Sequence, residues 1–246
     1  MSHLALRRVM IRLLHDPAFV AAVYANAENA LATVDLTAVE RRNLLTTPRA
    51  AWGTDPGRPA RVFAGLREEF PLSLGILPRR PEDFFASAAF HQAVQARGSL
   101  AAALGEYLAT DAPPNVAALV QIEAAIAAVR RAPRQPLPRP HDHRGLPPWA
   151  AIVVAPLGTL VRYEKLRRGP AAARATDQTE HLLVLRPGTD TEVTVEELPE
   201  TLGQLLLTAR QPRPWAELVR TAYALGADPG DGEFIVSGLE RDGLLR

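Results

Sequence analysis

The C-terminal quarter of the chain carries the pattern that most constrains its fold. Residues 181–186 form a short apolar run, and residues 187–190 supply the proline and glycine that a tight turn requires. From 191 to 196 polar and apolar residues alternate, so Val193 and Val195 share one face of a second strand. These residues predict a β-hairpin with one solvent-exposed face.

Three helices are predicted after the hairpin. The first begins at Pro199 and stops before Pro212, because proline is tolerated in the first turn of a helix but not in its interior. The second spans about 214–226 and the third about 231–243, and each ends at a glycine. Two strands followed by three helices is the element order of a winged helix.

The charge of the third helix separates two functions that such a unit can have. DNA-binding proteins turn arginine and lysine toward the phosphates. The third helix instead carries acidic residues at 231, 233, 240 and 242 against the single Arg241, so DNA binding is disfavoured. The alternative is β-augmentation, in which an extended peptide hydrogen-bonds to the open edge of the hairpin and places side chains beside the third helix.

Composition removes several other functions. The 246 residues contain no cysteine, which excludes a disulfide framework, a thiolate nucleophile and a cysteine-ligated metal. No apolar run approaches the roughly 18 residues of a membrane span. The first 14 residues are interrupted by three arginines and do not match a secretory signal. A cytoplasmic location is therefore expected.

The first half of the chain is predicted to be a bundle of about six helices, over residues 4–131. A capping box at Thr37 and Glu40 starts one helix, and 58–70 gives another with apolar residues at every fourth position. Five aromatic residues could form a docking patch, although core positions are the favoured interpretation. They are Trp52, Phe63, Phe70, Phe84 and Phe85.

Residues 132–148 change abruptly to proline, arginine, histidine and aspartate, which predicts a semi-rigid linker. Strands are predicted at 149–155 and 159–164, with a polar crossing loop over 167–178. The predicted fold class is thus α+β, mainly α. A helical domain (1–131), the linker (132–148) and a winged-helix domain with a short antiparallel sheet (149–246) follow one another.

Two resemblances add to this interpretation. The segments EVTVEELP (192–199), LGQLLL (202–207) and FIVSGLERDGLL (234–245) resemble the precursor-peptide recognition element of ribosomal-peptide biosynthesis, a winged helix that binds leader peptides. The segments LLHDPAFV (13–20), DLTAVERRNLL (35–45), WGTD (52–55) and LREEFP (66–71), with Arg58, resemble the partner subunits of multinuclear non-haem iron-dependent oxidases. Those oxidases are TIM-barrel enzymes that modify cysteine in ribosomal peptides.

The resemblance implies a non-catalytic adaptor that forms a heterodimer with the oxidase. It would carry no cofactor, the iron being in the partner, and its helical domain would dock on the oxidase. The leader would add as a strand beside the second strand of the hairpin, with the third helix lining the groove. The predicted peptide-binding residues are Glu192, Val193, Thr194, Val195, Phe234, Ser237 and Arg241.

Other interpretations stay open. A winged-helix DNA-binding regulator is the main alternative function. His141, Asp142 and His143 could ligate a metal, but three adjacent ligands on a proline-rich segment favour a solvated linker. His15 with Asp16 is expected to be a helix-end contact, and 228–233 a turn rather than a calcium loop.

The charge distribution is polarised along the chain. Residues 130–170 hold nine basic and two acidic residues, whereas 180–200 hold six acidic and one basic. This is either ordinary surface charge or an acidic edge that attracts a basic peptide, with the arginine-rich segment facing the oxidase or a nucleic acid.

Overall fold

A computed structural model describes residues 2–53, 55, 57–133, 141–169, 178–187 and 192–246. The chain divides into two compact units, Met1–Thr110 and Asp111–Arg246. It is mainly helical with a small antiparallel sheet, which confirms the α+β class. Across the described ranges, no helix combines the length and the apolar content that a membrane crossing requires.

All of the regular secondary structure described in the first unit is helical. The helices are α1 (Ser2–His15), α2 (Pro17–Ala25), α3 (Ala27–Ala30), α4 (Ala38–Thr46), α5 (Arg49–Trp52), α6 (Arg58–Arg67), α7 (Pro71–Ile76), α8 (Pro81–Ala86), α9 (Ala88–Ala96) and α10 (Leu100–Ala109).

Local capping explains where these helices begin. The predicted capping box is present, because the Thr37 hydroxyl accepts from the Glu40 amide at 3.2 Å while the Glu40 carboxylate accepts from the Thr37 amide at 2.8 Å. Residues 81–96 form two helices, since the Ser87 hydroxyl accepts from the Phe90 amide at 3.2 Å and starts α9. Pro71 occupies the first position of α7, where its missing amide hydrogen costs nothing.

The five aromatic residues considered as a docking patch lie in the core. Trp52 and Phe63 are at most 9% exposed, and Phe70, Phe84 and Phe85 are fully buried. The rings of Phe84, Phe85 and Phe90 pack on one another with centroids 5.0–5.6 Å apart. The core interpretation is therefore confirmed, and docking through these rings is excluded.

The second unit contains five helices and five strands in its described part. They are α11 (Pro114–Arg131), β1 (His143–Arg144), β2 (Ala150–Pro156), α12 (Thr159–Arg168), β3 (Thr179–Leu185), β4 (Thr194–Leu198), α13 (Glu200–Thr208), β5 (Arg213–Pro214), α14 (Trp215–Ala224) and α15 (Asp231–Arg241). Strands β2, β3 and β4 form one antiparallel sheet in that order, and β1 pairs with β5.

The three-stranded sheet is covered on both faces. Ile152 and Leu183 are cross-strand partners and pack in one core with Leu205 and Leu206 of α13 and Val236 of α15. Successive residues of a strand point to opposite faces, so the neighbouring buried residues of β2 and β3 face the other side, where α11 contacts both strands. This double coverage buries nearly every side chain of β3, so the prediction that one face of the hairpin is exposed to solvent is wrong for this strand.

The predicted domain boundary after Arg131 differs from the observed division. Arg186, which is 8% exposed, donates from Nη1 to the carbonyl of Arg130 at 2.7 Å and from Nη2 to that of Ala132 at 2.9 Å. These bonds satisfy two carbonyls at the C-terminus of α11. Helix α11 therefore belongs to the second unit, because the sheet and a buried arginine hold it there.

The predicted linker is only partly testable, since 134–140 lie outside the described residues. Its later part is structured. Strand β1 pairs with β5, the Leu146 amide donates to the Ala209 carbonyl at 2.9 Å, and Gly145 and Arg246 exchange backbone hydrogen bonds at 3.0 and 3.1 Å. The linker prediction is wrong for 141–148 because these backbone groups find partners far along the chain.

The strand predicted over 159–164 is the helix α12. The buried Glu180 carboxylate accepts from the amides of Gly158 at 2.9 Å and Leu160 at 2.7 Å, which satisfies donors at the start of the helix. Most of the predicted crossing loop (170–177) lies outside the described residues. Residues 188–191, which comprise most of the predicted turn and the first residue of the second predicted strand, also lie outside the described residues. Strand β4 begins at Thr194.

Glu180→Gln is expected to lower the free energy of unfolding by about 1–2 kcal/mol, because an amide keeps one acceptor but loses the charge at the start of α12. Urea unfolding followed by circular dichroism measures the change. Glu164→Gln, at an exposed position on the same helix, is the control and should change stability by less than about 0.5 kcal/mol. Equal effects of the two variants would contradict the capping role.

Candidate functional site

Strand β4 lies at the edge of the sheet. Within the described residues it pairs with β3 alone, with Thr194 opposite Leu185 and Leu198 opposite His181. An edge strand presents unpaired backbone donors and acceptors, which another chain can use. The edge predicted to be open is therefore not covered by another described strand.

The register shows which backbone groups point outward. The Arg186 amide donates to the Trp149 carbonyl at 3.0 Å, and the Leu157 amide donates to the Gln178 carbonyl at 2.8 Å. These two bonds flank the β2–β3 ladder, and the register between them means that the even-numbered residues of β3 are the ones hydrogen-bonded to β2. Because bonding alternates along an antiparallel strand, the odd-numbered residues of β3 bond to 194, 196 and 198 of β4. The backbone groups of Val195 and Glu197 then point away from the sheet.

The opposite edge, on β2, is less available. The guanidinium of Arg210 donates to the carbonyl of Ile152, which points outward. The Ala150 amide donates to the Pro147 carbonyl at 3.0 Å, and Pro156 has no amide hydrogen to offer. Of the two edges of this sheet, β4 is the one better suited to accept a further strand.

A groove lies next to the end of β4. It has a volume of about 510 Å³ and is bounded by Pro199, directly after β4, and by helices α13, α14 and α15. Its lining is mostly apolar: Leu202, Leu205, Leu225, Phe234, Ile235 and Leu239. Phe234 is 69% exposed, so an aromatic side chain in the wall of this groove faces solvent. We call this cavity the α15 groove.

Two glycines set the positions of the groove helices. A Cβ on Gly203 of α13 would lie 2.4 Å from the Cβ of His181, so α13 approaches β3 more closely than any larger residue permits. A Cβ on Gly232 would lie 2.7 Å from the ring of Tyr223, so the start of α15 packs directly on α14. The width of the groove depends on these two contacts.

The N-terminus of α15 is also held by a polar contact. The Tyr223 hydroxyl donates to the Glu233 carboxylate, which raises the pKa of Tyr223 and lowers the pKa of Glu233. The same hydroxyl accepts from the Gly230 amide at 3.4 Å. Glu233 consequently stays ionised at neutral pH and adds negative charge beside the groove.

Of the predicted peptide-binding residues, Phe234 lines the α15 groove, whereas the four predicted on the hairpin lie at or before the start of β4, away from Pro199 where the groove meets the chain. Thr194 and Val195 lie in β4, and Glu192 and Val193 directly precede it. Ser237 and Arg241 lie exposed on α15 but do not line the cavity. The prediction did not include Glu197 of β4. It also did not include Leu202 and Leu225 as groove residues. The sequence shows the helical spacing of these two leucines but not the groove that they share.

The competing metal-site interpretation gains no support from the geometry. Among the described residues, no group of three or more histidine, aspartate and glutamate side chains is arranged to hold a metal ion. His143 Nδ1 lies 2.9 Å from Asp142 Oδ1, which lowers the pKa of Asp142, and the Asp142 carbonyl accepts from the Trp215 amide at 2.8 Å. This segment packs against the start of α14.

The two other polar clusters have local structural roles. The His15 ring contacts the Ile11 carbonyl at 3.0 Å, and Asp16 accepts from the Phe19 amide at 2.9 Å as the N-cap of α2. The Asp231 amide donates to the Asp228 carbonyl at 3.0 Å, which makes a turn before α15. Both observations agree with the structural interpretations favoured from the sequence.

Comparison with known proteins does not assign a family to this chain. No protein-family model matches the chain, and a search of curated proteins finds no match to it.

Proposed function

We propose that this chain is a cytoplasmic, non-catalytic partner protein that binds the leader of a ribosomally made precursor peptide. The second unit acts as a winged-helix precursor-peptide recognition element. The first unit docks on a TIM-barrel multinuclear iron-dependent oxidase, and the two proteins form a heterodimer. This chain carries no cofactor, and the activity and the iron belong to the partner.

The observation that carries the proposal is an edge strand, β4, that pairs with β3 alone among the described residues and ends at an apolar groove. A leader that adds to β4 hydrogen-bonds to the backbone of Val195 and Glu197, and this pairing supplies affinity for any extended sequence. Leu198 of β4 packs in the same core as α13 and α15. Alternate side chains of an added strand lie on the same face of the sheet as Leu198, and in this proposal those nearest Pro199 enter the groove, which selects apolar residues.

Charge favours a peptide over a nucleic acid at this surface. The hairpin edge carries Glu192, Glu196 and Glu197, and Glu233 and Asp242 lie on or next to α15. Phosphates would be repelled by these carboxylates, whereas lysine or arginine in a leader would be attracted. The one acidic residue of α15 with a described arginine partner is Glu240, which lies 2.7 Å from the Nε of Arg144.

Binding the leader makes the later chemistry intramolecular. The cysteine-containing core of the precursor is tethered to the leader, so its concentration at the iron site rises to the millimolar range for a short linker. The adaptor contributes proximity, and the oxidase contributes the chemistry.

The direct test requires a precursor peptide, and a short cysteine-containing open reading frame beside the gene for this chain would encode it. Its labelled leader is titrated with the purified protein and followed by fluorescence anisotropy, with random duplex DNA in parallel. We expect a Kd of about 1 µM or below for the leader. No binding at roughly 100 µM, with or without the oxidase, contradicts the proposal. Tight, salt-dependent binding of the DNA would favour the regulator instead.

Phe234→Ala is expected to weaken leader binding by about tenfold or more, because an exposed aromatic side chain in a groove wall that a bound peptide covers contributes strongly to affinity. The folded protein should keep its stability within about 0.5 kcal/mol, since this side chain is 69% exposed. Anisotropy and thermal unfolding measure the two quantities. Val161→Ala, at another exposed apolar residue, on α12, is the control. A Phe234 variant with unchanged affinity would remove the groove from the proposal.

A further inference from the structure

A second groove, which contains arginine, lies between α1 and α9 of the first unit. Two neighbouring cavities of about 330 and 280 Å³ share Arg8 and Val94. Arg7 and Arg97 also line the larger one, whose floor is aliphatic. We call the larger cavity, with Arg8, the arginine groove.

The charge of the arginine groove is not compensated by its own lining. The larger cavity is lined by three arginines and by no acidic residue. Neither α1 nor α9 contains an aspartate or a glutamate. The smaller cavity differs, because Asp35 lines it and its Arg12 Nε lies 3.4 Å from the buried carboxylate of Asp16.

Arg8 gives a second indication of a missing partner. Its Nε is buried and makes no hydrogen bond to any described residue. A buried donor without an acceptor costs about 1–3 kcal/mol, so folded proteins rarely leave one unsatisfied. An acceptor brought by a bound molecule would remove this cost.

His91 lines the smaller cavity, beside Asp16. Burial is the main cause that lowers the pKa of His91, and the positive charge of Arg12 adds to it, whereas Asp16 acts in the opposite direction. Nε2 of His91 lies 3.3 Å from Oδ2 of Asp16. Neither His91 nor Asp16 lines the larger cavity.

The shape of the arginine groove distinguishes between possible ligands. Leu4, Ile11 and Val94 provide an aliphatic surface between the arginines. A phosphate backbone offers charge but no side chain for such a floor, whereas an amphipathic protein segment offers both. Guanidinium groups also bind carboxylates in a bidentate geometry.

We propose that the arginine groove docks an acidic, amphipathic segment of a partner protein. Carboxylates of that segment bind Arg7, Arg8 and Arg97, and an apolar side chain packs on the aliphatic floor. The inference adds detail to the proposed function, which assigns partner docking to the first unit. It rests on the proposed function for that assignment only. It is independent of leader binding by the second unit.

The test uses a defined probe and the full chain. The probe is a fluorescein-labelled helical peptide of glutamate with leucine at every third or fourth position, and its matched partner has lysine in place of glutamate. Saturable binding of the glutamate peptide is expected below roughly 100 µM, and binding of the lysine peptide is not. Arg8→Glu should weaken binding by at least about tenfold, and so should the surface change Arg97→Glu, which guards against misfolding of the first variant.

Arg42→Glu, at an exposed arginine on α4 outside the groove, is the control and should change the Kd by less than about twofold. Failure of the glutamate peptide to bind, or equal losses in all three variants, overturns the inference. A short duplex DNA that binds more tightly, with the same dependence on Arg8 and Arg97, overturns it in favour of a nucleic-acid site. Leader binding should stay unchanged in these variants, so the two proposals can fail separately.

Discussion

Val195→Pro is expected to weaken leader binding strongly while the protein stays folded. The Val195 amide points away from β3, so proline removes a donor that only an added strand would use. The lost hydrogen bond and the clash of the proline ring with the incoming backbone should together reduce affinity by more than about tenfold. Stability should change by no more than about 1 kcal/mol, because proline is tolerated where an edge amide faces solvent.

Val154→Pro is the matched control for this experiment. Val154 lies on β2, and the alternation of bonding turns its amide toward the opposite edge of the same sheet. Leader affinity should change by less than about twofold in this variant. Anisotropy titrations of both variants, with thermal unfolding as the check on folding, decide the matter. Equal affinities for the two proline variants would place the leader elsewhere on the molecule.

Gly203→Ala is expected to destabilise the second unit by about 2–3 kcal/mol. The new methyl group would meet the buried His181 side chain at 2.4 Å, so α13 must move away from β3 or His181 must change its rotamer. The gain in helix propensity, about 1 kcal/mol, offsets only part of this cost. Leader affinity should fall as well, because α13 forms a wall of the α15 groove.

Gly238→Ala separates the steric effect from helix propensity. Its Cβ would approach only the Arg241 guanidinium, at 3.7 Å, which is an ordinary contact. Stability should therefore increase by about 0.5–1 kcal/mol. Urea unfolding of both glycine variants measures the difference. Destabilisation of similar size in both would mean that the close approach of α13 to β3 is not the cause.

The sequence predicted the elements whose signals are local. The capping box at Thr37, the β3–β4 hairpin and the three C-terminal helices each depend on residues within one or two turns of the chain. Proline and glycine mark the ends of the C-terminal helices, and alternation marks β4. These features were confirmed to within a few residues.

The elements that were missed depend on distant residues. Helix α12 was predicted as a strand because its amides are satisfied by Glu180, 20 and 22 residues away. The unit to which α11 belongs could not be foreseen, because Arg186 binds its C-terminus from 54 and 56 residues away. No local pattern encodes such contacts.

For the candidate site, the sequence predicted the strand and its charge but not the groove. Alternation placed Val195 on the hairpin edge, and the acidic third helix argued against DNA. The α15 groove, however, needs α13, α14 and α15 in their folded positions, and Ser237 and Arg241, which the peptide-binding hypothesis places in it, do not line it. Spacing identifies a helix face but does not identify which neighbour meets it.

The coverage of the sheet on both faces restricts what a guest can be. With α11 on one side and α13 on the other, β2 and β3 leave no flat surface, and a newcomer can join only in the plane of the strands. A folded domain could join only through an edge strand of its own, whereas the extended leader proposed above could offer any of its segments. In that proposal the leader loses conformational freedom on binding, which would limit its affinity and let the modified peptide dissociate.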